Sequence, residues 1–341
     1  MKILLPDLKK AITICFFVLS ASISIVSAAP VELSYSIFLP ETTILASQME
    51  RWKQQVEKKS YGTLAIKTYP GGKLLKALET MDGVISGKAD IGVVVMAYEP
   101  ARFPVTNAVS LPINIPNARV GSLVLWKLYN KYKPKSFKDV QVIGMFTTPP
   151  INLMTKTPVR SLADIKGMSI RAAGGPADIL RAWGASAVPM PLTRKLVSDA
   201  FEKNKIQGVF TSLDYMKDID LARDCPYVTI TNSVVYPIAV IMNNKKWNSL
   251  PDKARIAIKQ VRREHMEWTG NELDKHIKTS VEWSKKTHNV EFINLIQSQK
   301  TKFHFLTRSL TSKWLQKARA DKLPGTKIVT DLKKWIKEYS K

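Results

Sequence analysis

Four histidines, an acidic cluster and two cysteines are the side chains that could carry catalysis or hold a metal. His265, His276, His288 and His304 all fall in the carboxy-terminal part of the chain. The first two are eleven residues apart, about three helical turns, so they share a helix face but stand too far apart to hold one metal. All four read as solvated or half-buried helix histidines. Asp218, Asp220 and Asp224 lack the spacing of a calcium loop. Cys15 and Cys225 form no CxxC pair for metal or redox work, and no GxSxG, HExxH, Walker loop or GxGxxG occurs. A secreted enzyme is therefore the least supported class, and neither metal nor cofactor is expected.

The start of the chain sets how the rest is read. Lys2, Lys9 and Lys10 precede an apolar or small run from Ala11 to Val26, and Val26-Ser27-Ala28 offers small residues around a cleavage point. That is the pattern of a secretory signal peptide over residues 1–28. The uncharged stretch is short for a span of about 20 residues, which argues against a membrane anchor. Ile14 stands where a small residue should precede a lipidated cysteine, so Cys15 does not read as a lipid anchor. The chain has 341 residues, 52 Lys+Arg and 28 Asp+Glu, a formal charge of +24. Without residues 1–28 there remain 49 Lys+Arg and 27 Asp+Glu, a charge of +22. The composition, 45% hydrophobic and 23% charged, fits a folded globular protein of about two domains. The lysines are spread along the chain with no aromatic-interleaved basic run, so nucleic acid is not an expected partner; a diffuse basic surface can still draw anionic small molecules or anionic lipid. Cys225, the thiol left after cleavage, reads as a small buried hydrophobe.

The elements that would position a site follow from periodicity. Val31, Leu33, Tyr35 and Ile37 alternate as a half-buried strand. Leu45, Met49, Trp52 and Val56 then recur as one helix face, closed by Gly62 at its C′ position. Leu64 to Tyr69 reads as a strand, Pro70-Gly71-Gly72 as a turn, Leu74 to Ser86 as a helix, and Ile91 to Met96 as a strand buried on both faces. This β-α-β-α-β run is the grammar of an open α/β sheet. It recurs with strands at Val140–Phe146, Asn152–Thr155, Met168–Arg171 and Ile206–Thr211, and helices at 177–183 and 193–203. Gly87 and Asn204 stand at equivalent helix ends, where a left-handed residue is needed. After Leu250-Pro251-Asp252 a helix runs without proline past His288; it could approach 50 Å and back both lobes. Gly270 is its weak point, costing about 1 kcal/mol against alanine. A short strand at 290–295 and two basic amphipathic helices complete the chain.

Several segments then occur in a recognisable order. Gly71-Gly72-Lys73-Leu74 follows Tyr69-Pro70, and Gly87-Lys88-Ala89-Asp90-Ile91-Gly92 comes next. Leu111-Pro112, Leu162-Ala163-Asp164-Ile165-Lys166-Gly167-Met168-Ser169-Ile170-Arg171, Pro189-Met190-Pro191 and Met242-Asn243-Asn244-Lys245-Lys246-Trp247 follow. With the long helix, they resemble the extracytoplasmic solute receptors of TRAP transporters, the DctP-like family, over essentially the whole chain after residue 28. The resemblance implies a type II-like periplasmic binding protein of α/β class with two lobes and a long helix spanning both. Residues 30–150 with about 238–275 would form lobe I, and 151–237 with about 276–341 lobe II. It further implies capture of an organic acid by lobe closure and delivery to ion-coupled TRAP membrane subunits, in the periplasm and as a monomer.

In that family the arginine matching Arg171 binds the ligand carboxylate. A guanidinium at a strand end, before the flexible Ala172-Ala173-Gly174-Gly175 turn, can present two parallel donors to a carboxylate. Asn152 stands nearest to the position where many relatives carry a second basic residue, so a second ionic clamp is not expected. Asn152 and Thr211 would supply neutral hydrogen bonds. Tyr236, Tyr98 and Phe38 match cleft-lining positions, although each also reads as a core or rim aromatic. The chain departs from the family at Arg194-Lys195-Leu196, where an acidic residue is common, and at Ile206-Gln207-Gly208, where Val-Asp-Gly is common. One cation and several aromatics favour a monocarboxylate, aromatic or 2-oxo. Two rivals are a sensory protein on the same fold and a basic surface protein that binds anionic lipid.

Overall fold

The computed structural model describes residues 29–341; the expected signal peptide and Cys15 lie outside them. The strands are β1 (Val31–Ser36), β2 (Leu64–Tyr69), β3 (Ile91–Val95), β4 (Val140–Thr147), β5 (Asn152–Thr155), β6 (Ser169–Arg171), β7 (Ser186–Val188), β8 (Gly208–Thr211), β9 (Tyr227–Ile230), β10 (Pro237–Asn243) and β11 (Glu291–Asn294). The helices are α1 (Ile44–Lys59), α2 (Thr80–Ile85), α3 (Ala118–Tyr132), α4 (Leu162–Ile165), α5 (Gly175–Ala182), α6 (Arg194–Glu202), α7 (Tyr215–Asp218), α8 (Asn244–Ser249), α9 (Asp252–His288), α10 (Gln297–Ala320) and α11 (Gly325–Tyr339).

Two sheets result, in the orders β2-β1-β3-β10-β4 and β11-β9-β5-β8-β6-β7. The parallel pairs β1·β2, β1·β3, β6·β7 and β6·β8 come from β-α-β units covered by helices. β10 enters the first sheet antiparallel between β3 and β4 after the chain has built most of the second. Its seven residues are all buried, so it carries no alternation, and its partners lie far away in sequence.

Two short segments cross between the sheets side by side, Thr148–Ile151 outward and Thr231–Tyr236 back. The Ile151 N–H donates to Val234 O at 2.8 Å and the Thr148 N–H to Tyr236 O at 3.0 Å. A third crossing is α9, 37 residues long and so about 55 Å at 1.5 Å per residue. It packs on α1, α3 and β4 of the first sheet and on α7 of the second. α10 leaves the second sheet's helices and leads back to the first. There α11 buries Ile328, Leu332 and Trp335 in the same core as Val124 and Leu128 of α3. The last helix therefore does not sit with the second lobe, where residues 276–341 were expected. It turns back because its apolar stripe matches the exposed side of α3, and Lys131 and Lys127 pair with its Asp331 and Glu338.

Local readings change in three places. The helix expected over Leu74–Ser86 begins only at Thr80. The residues before it turn so that Leu75 lies over Gly83, where a Cβ would stand 2.3 Å from a Leu75 methyl. The C′ residue of α1 is Tyr61, left-handed at φ 51°, with Gly62 following at 78°. α3, unassigned in the sequence reading, ends on a left-handed Lys133 (φ 41°) without a glycine stop signal. Gly87 and Asn204 are left-handed at φ 82° and 52°, as their equivalent positions predict.

Candidate functional site

Arg171 closes β6 and points between the lobes, with 1% of its surface exposed. Its Nε and Nη2 donate to the Met190 carbonyl at 2.9 and 2.7 Å, and Nη2 also reaches the Tyr98 hydroxyl at 3.3 Å. The Tyr236 phenol also faces the guanidinium, and among the described residues no carboxylate lies within salt-bridge distance of it. A buried cation without a counter-ion is costly to maintain.

Around it lie Val95, Tyr98, Thr148, Leu192, Thr211, Tyr215, Tyr236 and Ile238, enclosing a cavity of about 10 Å³, the space of a single water. Most of these residues sit on or just after the carboxyl ends of β3, β4, β6 and β8, where ligands bind in open α/β sheets. Tyr98 joins the lobes: its hydroxyl accepts from the Leu192 N–H at 3.1 Å as well as from Arg171. The Tyr236 hydroxyl accepts from the Ala173 N–H at 3.3 Å, holding the turn after Arg171. Gly174 (φ 61°) lies so near the first lobe that a Cβ there would be 2.7 Å from Ala97 O. Burial pushes the Tyr236 phenol up, partly offset by Arg171, and burial with Asp214 beside it pushes Tyr215 well up. These tyrosines are therefore neutral hydroxyls able to donate to an anion.

Of the six residues expected from sequence, Arg171, Thr211, Tyr98 and Tyr236 come together in this cavity. Phe38 stands one layer behind, its ring centroid 6.1 Å from that of Tyr98. Asn152 belongs to the crossing instead. Its Oδ1 accepts from the Thr231 and Asn232 N–H groups at 2.8 and 2.9 Å, and its Nδ2 donates to Pro150 O at 3.1 Å. Its side chain is consumed by backbone, so a role as ligand donor is not what the geometry shows. Thr148 and Tyr215 were missed. Tyr215 follows the carboxyl end of β8 by four residues, and that position was the available signal.

A larger groove of about 700 Å³ shares Tyr98 with the small cavity and runs outward past Ala173, Gly174, Asp178, Arg181, Lys313 and Trp314. Its inner arginine, Arg181, is exposed and paired with Asp178 at 2.7 Å. The groove therefore holds no buried unpaired arginine, unlike the Arg171 cavity.

Three of the histidines, the acidic cluster and Cys225 are held in the fold. His265 is buried instead of solvated: it bonds Gln48 Oε1 at 2.8 Å, and burial pushes its pKa down to about 3. His276 bonds Asp218 at 2.6 Å, and His288 Nε2 lies 3.1 Å from Asp220 Oδ1. Arg194 binds Asp224 at 2.6 Å and the Asp220 carbonyl at 2.7 Å, fastening the loop after α7. Cys225 is buried, and burial pushes its thiol up.

Residues 35–317 match the family described as bacterial extracellular solute-binding protein, family 7 (DctP). The chain belongs to this family. Among solved structures it resembles a TRAP periplasmic solute binding protein from Desulfovibrio salexigens, 41% identical, covering 91% of this chain and 97% of that one with a TM-score of 0.80. A marine metagenome TRAP solute binding protein specific for aromatic acid ligands, in complex with 3-hydroxybenzoate, is 24% identical and shares the fold at a TM-score of 0.87 over 92% and 100% of the two chains. The outer membrane transporter protein TsaT of Comamonas testosteroni is 24% identical over 85% of this chain and 87% of its own. The chain is thus a TRAP-type extracytoplasmic solute receptor with the family's two-lobed α/β fold and long helix.

Proposed function

We propose that this receptor captures an organic monocarboxylate between its lobes, with Arg171 holding the carboxylate, and delivers it as a monomer to TRAP membrane subunits. One observation carries the reading: a fully buried guanidinium with no protein carboxylate as counter-ion, at the point where strand ends of both lobes meet. The walls around it are tyrosine hydroxyls and aliphatic side chains, with no second cation among the lining residues. That lining suits one carboxylate on an aromatic or 2-oxo body better than a dicarboxylate. The relatives agree in kind. The Desulfovibrio salexigens protein was seen in an open complex with the C-terminus of a symmetry mate in its ligand-binding site, and a Rhodoferax ferrireducens relative holds copurified benzoate. Binding and release by hinge movement at the paired crossings is the mechanism.

The site's small volume means that the lobes open, or its tyrosines swing, to admit a ligand, and that closure then buries the ion pair. Removing one partner of such a pair costs about 3–5 kcal/mol, a loss of at least about a hundredfold in affinity. Calorimetry and thermal shift against benzoate, mandelate, 2-oxo acids and dicarboxylates, with sugars and amines as controls, test this. A monocarboxylate should stabilise the protein and fail with Arg171→Ala. Equal affinity in the variant overturns the assignment.

A further inference from the structure

We propose that the exposed face of α10 docks the receptor on an anionic phospholipid surface, a contact separate from ligand capture. The carboxy-terminal 46 residues, 296–341, carry 12 Lys+Arg against 3 Asp+Glu, so this one-seventh of the chain holds +9 of its charge. Two of the three acids, Asp331 and Glu338, are neutralised by Lys131 and Lys127 of α3. Among the described residues none of the 12 cations of this segment takes part in an ion pair, and α10 itself contains no Asp or Glu. The charge is therefore unspent within the protein.

Phe305 and Leu306 stand in the middle of that field, 62% and 37% exposed. The opposite side of the helix is anchored by buried Phe303 and Thr307, and Trp183 Nε1 donates to the Phe303 carbonyl at 3.0 Å. Lys302 and Arg308 lie three residues to either side of Phe305, so all three share one face. The Arg308 guanidinium carbon stays 5.4 Å from the Phe305 ring centroid. An aromatic and a leucine flanked by long cations on a rigid, firmly docked helix is the arrangement that enters a headgroup layer, apolar groups inward and cations at the phosphates. An acidic protein surface would match the charge but leave the exposed ring without a matching apolar environment.

Flotation of the full chain, without residues 1–28, on vesicles of phosphatidylcholine with about 30% phosphatidylglycerol tests this, since each cation near such a surface adds to binding. Binding should be strong on these vesicles, absent on phosphatidylcholine alone, and weakened by salt. Lys302→Glu with Arg308→Glu should lower it at least tenfold, Phe305→Ser with Leu306→Ser should lower what survives salt, and the equal charge change Lys278→Glu with Lys286→Glu on α9 should do far less. Every variant should keep the wild-type melting temperature. The proposal fails if the α9 pair matters as much as the α10 pair, if no anionic vesicle binds, or if binding requires membrane protein in the vesicle.

Discussion

Arg171 and Asn152 show how differently two polar residues facing the same region can be used. The arginine's charge has no carboxylate partner, whereas the asparagine spends its carbonyl on two backbone N–H groups and its amide on a backbone oxygen. Asn152→Ala would strand the Thr231 and Asn232 N–H groups, costing about 1–3 kcal/mol each when buried. We expect chemical denaturation to show a loss of about 2–4 kcal/mol, with ligand affinity changed by less than about threefold. An affinity loss without a stability loss would return Asn152 to the ligand shell. The sequence could show that both residues end or begin strands near the lobe junction. It could not show which atoms the crossing backbone would claim, because Thr231 and Asn232 lie about eighty positions away.

At the level of elements, α9 carries the clearest revision. Gly270 reads from sequence as a helix weakness that alanine would repair. In the fold a Cβ there would stand 2.7 Å from Arg119 Cα and 3.1 Å from its N, because α3 meets α9 end-on at this point. One turn later Asp274 accepts the Ala118 and Arg119 N–H groups at 2.8 and 3.1 Å, capping α3. Gly270→Ala should therefore destabilise by about 1–3 kcal/mol through overpacking, despite alanine's better helix propensity. Equilibrium urea unfolding measures it, and a stabilised variant would contradict this packing. Propensity is a property of one segment, while the sign of this substitution belongs to two.

Over the whole molecule, α7 ties the lobes together beside the site. The Asp218 carboxylate accepts the Ile44 N–H at the start of α1 at 2.9 Å and binds His276 of α9. Asp214, buried beside it, is pushed up to about 7 by desolvation first and by Asp218 second. His276 is raised by its bond to Asp218, against a smaller opposing effect of burial. Both folded-state values exceed the unfolded ones, so both groups stabilise in their protonated forms. Asp214's contribution is complete below about pH 4 and is lost as pH rises through 7. That of His276 is complete below about 6.5 and lost above it. Above about pH 6.5, where His265 is neutral folded or unfolded, the melting temperature should fall toward pH 8, and Asp214→Asn with His276→Gln should flatten that fall. A wild-type melting temperature that rises over the same range would overturn the sign.

What the sequence determined alone is local and periodic: the β-α-β grammar, the left-handed positions at Gly87 and Asn204, the long helix, and Arg171 at a strand end. Alternation and helical spacing are imposed by burial on one face of each element, so they survive in the chain without its partners. Only the tertiary structure decided that β10 inserts between β3 and β4, that α11 returns to the first lobe, that Asn152 serves the crossing, and that Tyr215 and Thr148 join the cavity. Those outcomes depend on which groups meet across separations of tens to hundreds of residues. A hydrogen-bond donor or an apolar stripe declares that it needs a partner, and folding alone decides which one it finds.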